Sequence, residues 1–142
     1  MASVTLFSVA KAVTVTHHSE VKACMATWEA LSSPKFREAV ERGLHECGRR
    51  RAKSWIVNLS GKDPGVPTQA DLKWIETDAI ELAKRNGVVA VINVHGQSAV
   101  ATMGAKRWSK LVSDGGLSTY DCANVADAMA LAAEIADGKA QE

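Results

Sequence analysis

Two stretches of this chain, Trp55-Ile56-Val57-Asn58-Leu59 and Val88-Val89-Ala90-Val91-Ile92-Asn93-Val94, are apolar almost without interruption. A strand with apolar side chains on both faces must be covered on both, which is the condition of a strand inside a parallel sheet. Parallel neighbours cannot be joined by a tight turn and need a crossover of a dozen or more residues, usually a helix. Both runs are followed by one. After the polar loop Ser60 to Pro67, Thr68 caps a helix with Asp71 three residues on, and Leu72, Ile75, Ala79, Leu82 and Ala83 line one face until Asn86-Gly87 ends it. After the second run, Ser98 starts a helix whose Val100, Met103, Trp108 and Leu111 are expected to face inward, closed by Asp114-Gly115-Gly116. Leu117 to Cys122 then reads as a short strand. Asn124 with Asp127 caps a last helix carrying Val125, Met129, Ala132 and Ile135, and Gly138 ends it.

The first third keeps a different rhythm. Apolar and polar residues alternate with period two through Val4, Leu6 and Ser8, through Val13, Val15 and His17, and through Val21, Ala23, Met25 and Thr27 after a His18-Ser19-Glu20 turn. These are three short, mostly antiparallel strands ending near Trp28. The period changes at Ser32-Ser33-Pro34, a serine cap followed by proline at the first helical position. Phe36, Val40, Leu44 and Cys47 form the apolar stripe of the helix that follows. Gly48 is expected to stop it, with Arg49-Arg50-Arg51 at the negative end of its dipole. The order β-β-β-α-β-α-β-α-β-α predicts an α/β fold with a single mixed sheet, antiparallel at its N-terminal side and parallel in its C-terminal βαβ part, with helices packed on it. No repeat and no linker longer than Ser60 to Pro67 divides the chain, so one domain is expected over residues 1–142.

A chain of 142 residues buries about 68–70% of its unfolded surface without staples. Cys24, Cys47 and Cys122 are therefore expected as reduced thiols, and the protein as cytoplasmic. Met1 to Ala10 has no basic start before its apolar residues and Lys11 breaks any apolar segment, so no signal peptide is expected. No apolar run approaches the ~20 residues of a membrane helix, and no membrane insertion is expected. Lys and Arg number 17 against 16 Asp and Glu, a net charge of +1, which draws the chain to no polyanion over long range.

The usual chemical motifs fail on their spacing. Gly61-Lys62 lacks the earlier glycine of a P-loop, no G-x-G-x-x-G occurs, and Gly115-Gly116 precedes a strand, so no nucleotide cofactor is expected. Ser98, in His95-Gly96-Gln97-Ser98, lies between strand and helix as a nucleophile elbow would. All four histidines precede it, however, and Val100 replaces the second glycine, so Ser98 reads as a cap. Among His17, His18, Cys24, His45 and Cys47, the strand neighbours point to opposite faces and His45 and Cys47 diverge on a helix, so no metal is expected. Cys47 reads as core and the histidines as part of a solvated turn. Arg49-Arg50-Arg51-Ala52-Lys53 reads as a helix end, and nucleic acid is not an expected partner. Trp28, Trp55 and Trp108 read as core or interface anchors. Trp74, set sideways from Leu72 and Ile75 toward Asp78 and Glu81, marks a contact surface or covers a sheet edge.

The strand ending in Asn58-Leu59-Ser60-Gly61, its loop and the helix opened by Thr68 resemble the STAS domain of sulphate-transporter tails and anti-sigma factor antagonists. The likeness is closer to the small stand-alone STAS-like proteins of bacteria, related in fold to CRAL-TRIO lipid-binding domains. It covers about Val13 to Ile135 and rests on Trp28, on Ser33-Pro34-Lys35-Phe36-Arg37-Glu38-Ala39, on Ala52-Lys53-Ser54-Trp55-Ile56-Val57-Asn58, on Gln69-Ala70-Asp71-Leu72-Lys73-Trp74-Ile75 and on Gly87-Val88-Val89-Ala90-Val91-Ile92. The resemblance implies a non-catalytic signalling module that works through a protein partner, itself as homodimer included, and without a cofactor. It implies phosphorylation at Thr68, a residue that its place as a helix cap already explains fully, with Thr68 and Trp74 on or beside the binding surface. Kinship to CRAL-TRIO implies an alternative, a carrier or sensor of a small apolar ligand or lipid, which requires an internal cavity.

Overall fold

Six strands cross one sheet in chain order: β1 (Ser3–Val9), β2 (Val13–His18), β3 (Ala23–Trp28), β4 (Ser54–Asn58), β5 (Ala90–Val94) and β6 (Ser118–Cys122). This computed structural model describes residues 3–138. β1, β2 and β3 pair antiparallel, and from β3 onward every pairing is parallel. The protein is thus α/β with one mixed sheet, as its periodicity predicts. The β1–β2 turn places Lys11 at φ 61°, and a 3-10 turn, Ser19–Val21, followed by Lys22 at φ 52°, leads into β3. Val21 therefore belongs to this turn and not to the third strand. His17 and His18, expected in a solvated turn, are the last residues of β2 and are buried.

The parallel half is joined by helices. α1 (Phe36–Arg50) links β3 to β4. α2 (Gln69–Trp74), a π-helical turn (Ile75–Ala79) and α3 (Ile80–Arg85) form one continuous helix between β4 and β5. α4 (Ala99–Asp114) links β5 to β6, and α5 (Val125–Ala136) follows β6. Crossovers of one hand that advance one strand at a time deliver every connecting helix to the same face. Phe36, Val40 and Leu44 of α1, Ile75, Ala79 and Ala83, and Trp108 and Val112 of α4 accordingly share one core with Cys24, Ala26, Trp28, Trp55, Val57 and Val91. On the opposite face α5 packs Ala128, Ala132 and Ile135 on Ala23, Ile56, Ala90, Ile92 and Val94.

Two helices depart from their expected form for steric reasons. Gly48 does not end α1, which continues to Arg50 and is capped by Arg51 in the left-handed conformation at φ 59°. A Cβ at Gly48 would overlap the Asn86 amide, and one at Gly43 would meet the Trp55 ring, so both glycines are there for close approach. In α4 the buried positions are Ala101, Gly104, Ala105, Trp108 and Val112, while Val100 and Met103 are 60% and 64% exposed. The phase differs from the expected one because small side chains, not the larger apolar ones, lie where α4 nears the sheet and Val66. A Cβ on Gly104 would stand 2.6 Å from Val66 Cγ1.

Gly96, between β5 and α4, fits against backbone: a Cβ there would lie 2.8 Å from both Leu59 O and Ser60 Cα. Main chain cannot rotate away as a side-chain tip can. Gly96→Ala should therefore destabilise the fold by about 1–3 kcal/mol, seen as a lowered urea midpoint with an unchanged slope.

Candidate functional site

Between the sheet and the α1–α4 face lies a cavity of about 70 Å³. Strands β3, β4 and β5 supply its floor through Trp28, Trp55, Val57 and Val91, and α1 its near wall through Phe36, Val40 and Leu44. Ile75, Ala79, Ile80 and Ala83 form its roof, with Trp108, Val112 and Leu117 beyond. The roof includes the π-helical turn, where the Ile80 N–H bonds to the Ile75 carbonyl instead of one residue later in the chain. Such turns are rare and often stand at functional sites. Aromatic rings crowd one end. Trp28 and Phe36 have centroids 5.2 Å apart at 30°, and Trp74 meets Phe36 edge-on at 6.3 Å.

A polar string leads from the cavity wall to the carboxyl edge of the sheet. The Trp108 Nε1 donates to Asn93 Oδ1 at 3.0 Å. Asn93 Nδ2 donates to Ser109 Oγ at 2.8 Å and to Asp121 Oδ1 at 3.4 Å. Asp121 Oδ1 also accepts from His95 Nε2 at 2.6 Å. Asn93 is fully buried, so these bonds replace the water it loses. The His95–Asp121 pair escapes a sequence reading because nothing in spacing relates the end of β5 to β6. Asn93 does leave a signal, since a polar residue inside an apolar strand run requires a buried partner. His95 does not address Ser98. Its Nδ1 is buried without a hydrogen-bond partner, whereas Ser98 Oγ accepts from the Ala101 amide at 3.1 Å as a helix cap.

Thr68 is exposed and caps α2, its Oγ1 accepting from the Asp71 amide at 3.1 Å. The buried Asp71 carboxylate binds Arg37 Nε of α1 at 2.7 Å, so the start of α2 is tied to α1. Trp74 is half-buried and packs on the core beside Phe36, so a large part of its ring serves the fold. Arg49 and Arg50 both bond to Glu46 within α1. Burial raises the Glu46 carboxyl, and the hydrogen bonds and charges of those two arginines more than offset it, leaving it below the usual value. Cys24 and Cys47 are fully buried. A hydrogen bond from Cys47 to Cys24, with burial, holds the Cys47 thiol well above its usual range, which keeps it protonated and inert. His45 is exposed and points away from Cys47. Among the described residues no three His, Cys, Asp or Glu side chains converge as metal ligands, and no helix is long and apolar enough to cross a membrane.

No family model, curated protein or solved structure matches the chain.

Two outcomes follow from these geometries. Asn93→Leu keeps the branched shape, with bulkier methyl groups, and strands the Trp108 N–H and one bond of Ser109; denaturant unfolding should show a loss of about 2 kcal/mol or more. Burial lowers the His17 imidazole, with help from Arg50 and His18, and burial lowers that of His18 against Glu20, both from an ordinary 6.5. The unfolded chain then takes up protons that the folded chain refuses, so stability falls as pH drops below about 6.5. Urea midpoints between pH 7.5 and 5.5 should fall, and fall less in the His17→Gln, His18→Gln double variant.

Proposed function

We propose that the chain is a non-catalytic cytoplasmic binding module, of the STAS-like class it resembles, whose cavity under the helices takes a small apolar ligand and whose outer helical face meets a protein partner. The cavity carries the reading. Protein interiors are packed as densely as organic crystals, so about 70 Å³ left unfilled among apolar side chains is space that the fold does not use for its own packing. An apolar void does not draw in water but does accept apolar molecules. The commitment of Ser98 to its cap and of His95 to Asp121 supports a binding role over hydrolysis.

A ligand that binds only the folded chain raises its melting temperature in proportion to the logarithm of its free concentration. Cyclohexane, toluene and 1-decanol, titrated one at a time, should include at least one that does so. Ala79→Leu, which extends a side chain into the cavity, should abolish that rise. If no probe raises the melting temperature, the ligand reading fails.

The exposure of Thr68 favours a second reading, control by phosphorylation. A phosphate on Oγ1 would add charge of about −2 beside the Arg37–Asp71 pair and remove the hydroxyl from its cap. Thr68→Ala should cost about 1 kcal/mol by loss of the cap, whereas Thr68→Asp, which can still cap, should keep most of the stability. A phosphate-free Thr68 in protein isolated from its own cells, with partner binding equal in Thr68→Asp and wild type, would reject this control.

A further inference from the structure

Resting on the reading that the cavity takes a ligand, we infer that this ligand is a neutral molecule presenting one aromatic ring, seated among Trp28, Phe36, Trp55 and Trp108, and that the π-helical turn is the wall that yields to admit it. Size excludes a lipid chain first. An engineered cavity of about 150 Å³ holds benzene, so about 70 Å³ needs roughly a doubling for one ring. At the same allowance per carbon a twelve-carbon chain would need about 300 Å³, more than fourfold the space present.

Chemistry narrows the class further. No charged side chain lines the cavity, and the indole N–H of Trp108 in its wall is already donated to Asn93. A carboxylate or phosphate would enter without a counter-charge, at a large cost of desolvation. A ring, by contrast, extends the row Trp28, Phe36 and Trp74, whose tilted and edge-on contacts are those that aromatic pairs prefer. A saturated molecule gains none of these contacts.

The required growth has one natural place. The floor strands β3, β4 and β5 are each paired on both sides and cannot part without losing ladder bonds. The roof contains the π turn, and Ile75, Ala79 and Ile80 of that segment all face the cavity. Moving the surplus residue one position along the helix exchanges one i→i+5 bond for another, which repositions Ile75 or Ile80 with the helix intact.

The experiment uses the full chain, with toluene, cyclohexane, 1-decanol and sodium benzoate as probes, read by melting temperature and by ¹H–¹⁵N spectra. Toluene should raise the melting temperature, shift the Trp108 and Trp55 indole cross-peaks and shift the amides of residues 75–80, while the other three leave all of them in place. Ala79→Leu should lose the toluene effect. Ile75→Val, which enlarges the cavity by a methylene, should bind toluene severalfold more tightly, and serves if Ala79→Leu does not fold. Decanol or cyclohexane acting as strongly as toluene overturns the ring inference and leaves the cavity-ligand reading standing. Toluene binding with residues 75–80 unmoved overturns the yielding wall. Inertness to all four probes overturns the inference and the reading together.

Discussion

Strands β4 and β5 each pair with neighbours on both sides, and every residue in them is buried. An interior strand of this kind has no solvent-facing side, so both faces of the sheet centre must be roofed. The rest of the molecule is arranged to meet that demand. Three crossovers bring α1, the α2–α3 helix and α4 to one face, and α5 closes the other over Ile56, Ala90 and Ile92. The same demand explains the polar string. Asn93 can occupy β5 only because Trp108 and Ser109 of the roofing helix and Asp121 of the next strand satisfy both ends of its amide. An unpaired amide at that depth would cost more than most single contacts contribute.

Roofing a short parallel sheet with three helices side by side forces close approaches, and small residues are where those approaches occur. Gly43 accepts the Trp55 ring, Gly48 the Asn86 side chain and Gly104 the Val66 side chain. Ala101 and Ala105 continue the same thin face on α4. Large residues compensate from the floor and flanks, chiefly Trp28, Trp55 and Trp108. Flat indoles projecting from several directions fill volume unevenly, and the cavity lies where they converge beneath the π turn. The surplus residue in that turn lets Ile75 and Ile80, five positions apart, both face inward. A regular α-helix would rotate one of them well away from the sheet.

The architecture was legible because it rests on periodicity. Continuous apolar runs identify β4 and β5, alternation identifies β2 and β3, and the caps at Thr68, Ser98 and Asn124 each accept the amide expected of them. What misled was residue type taken without its neighbours. Gly48 reads as a helix stop when only α1 is considered, yet its glycine is required by Asn86, which caps the end of α3. Val100 and Met103 read as core by hydropathy, yet a helix held close to its neighbours buries alanine and glycine instead. His17 and His18 read as a turn because they are polar, yet the ladder of β2 with β3 extends through both. The cavity and the His95–Asp121 pair had no local signal, since both are made by residues distant in sequence meeting across elements.

The location of the candidate site follows from the same topology. In open α/β sheets, ligands favour the carboxyl ends of strands at the point where successive helices pass to opposite faces, because the two loops there diverge and leave a crevice. Here α1, the α2–α3 helix and α4 all pass to one face, and the first helix to change sides, α5, does so only after the edge strand β6. The loops after β4 and β5 therefore run together, and Gly96 lies so close to Leu59 and Ser60 that not even a methyl group fits between them. Main chain closes the crevice between those two loops, and the apolar cavity lies instead under the helices, bounded by paired strands on one side and by a π turn on the other. On the proposed reading, that asymmetry makes the helix layer the part of the fold that changes shape on binding, and the start of α2, where Thr68 is exposed, the part through which the change is felt.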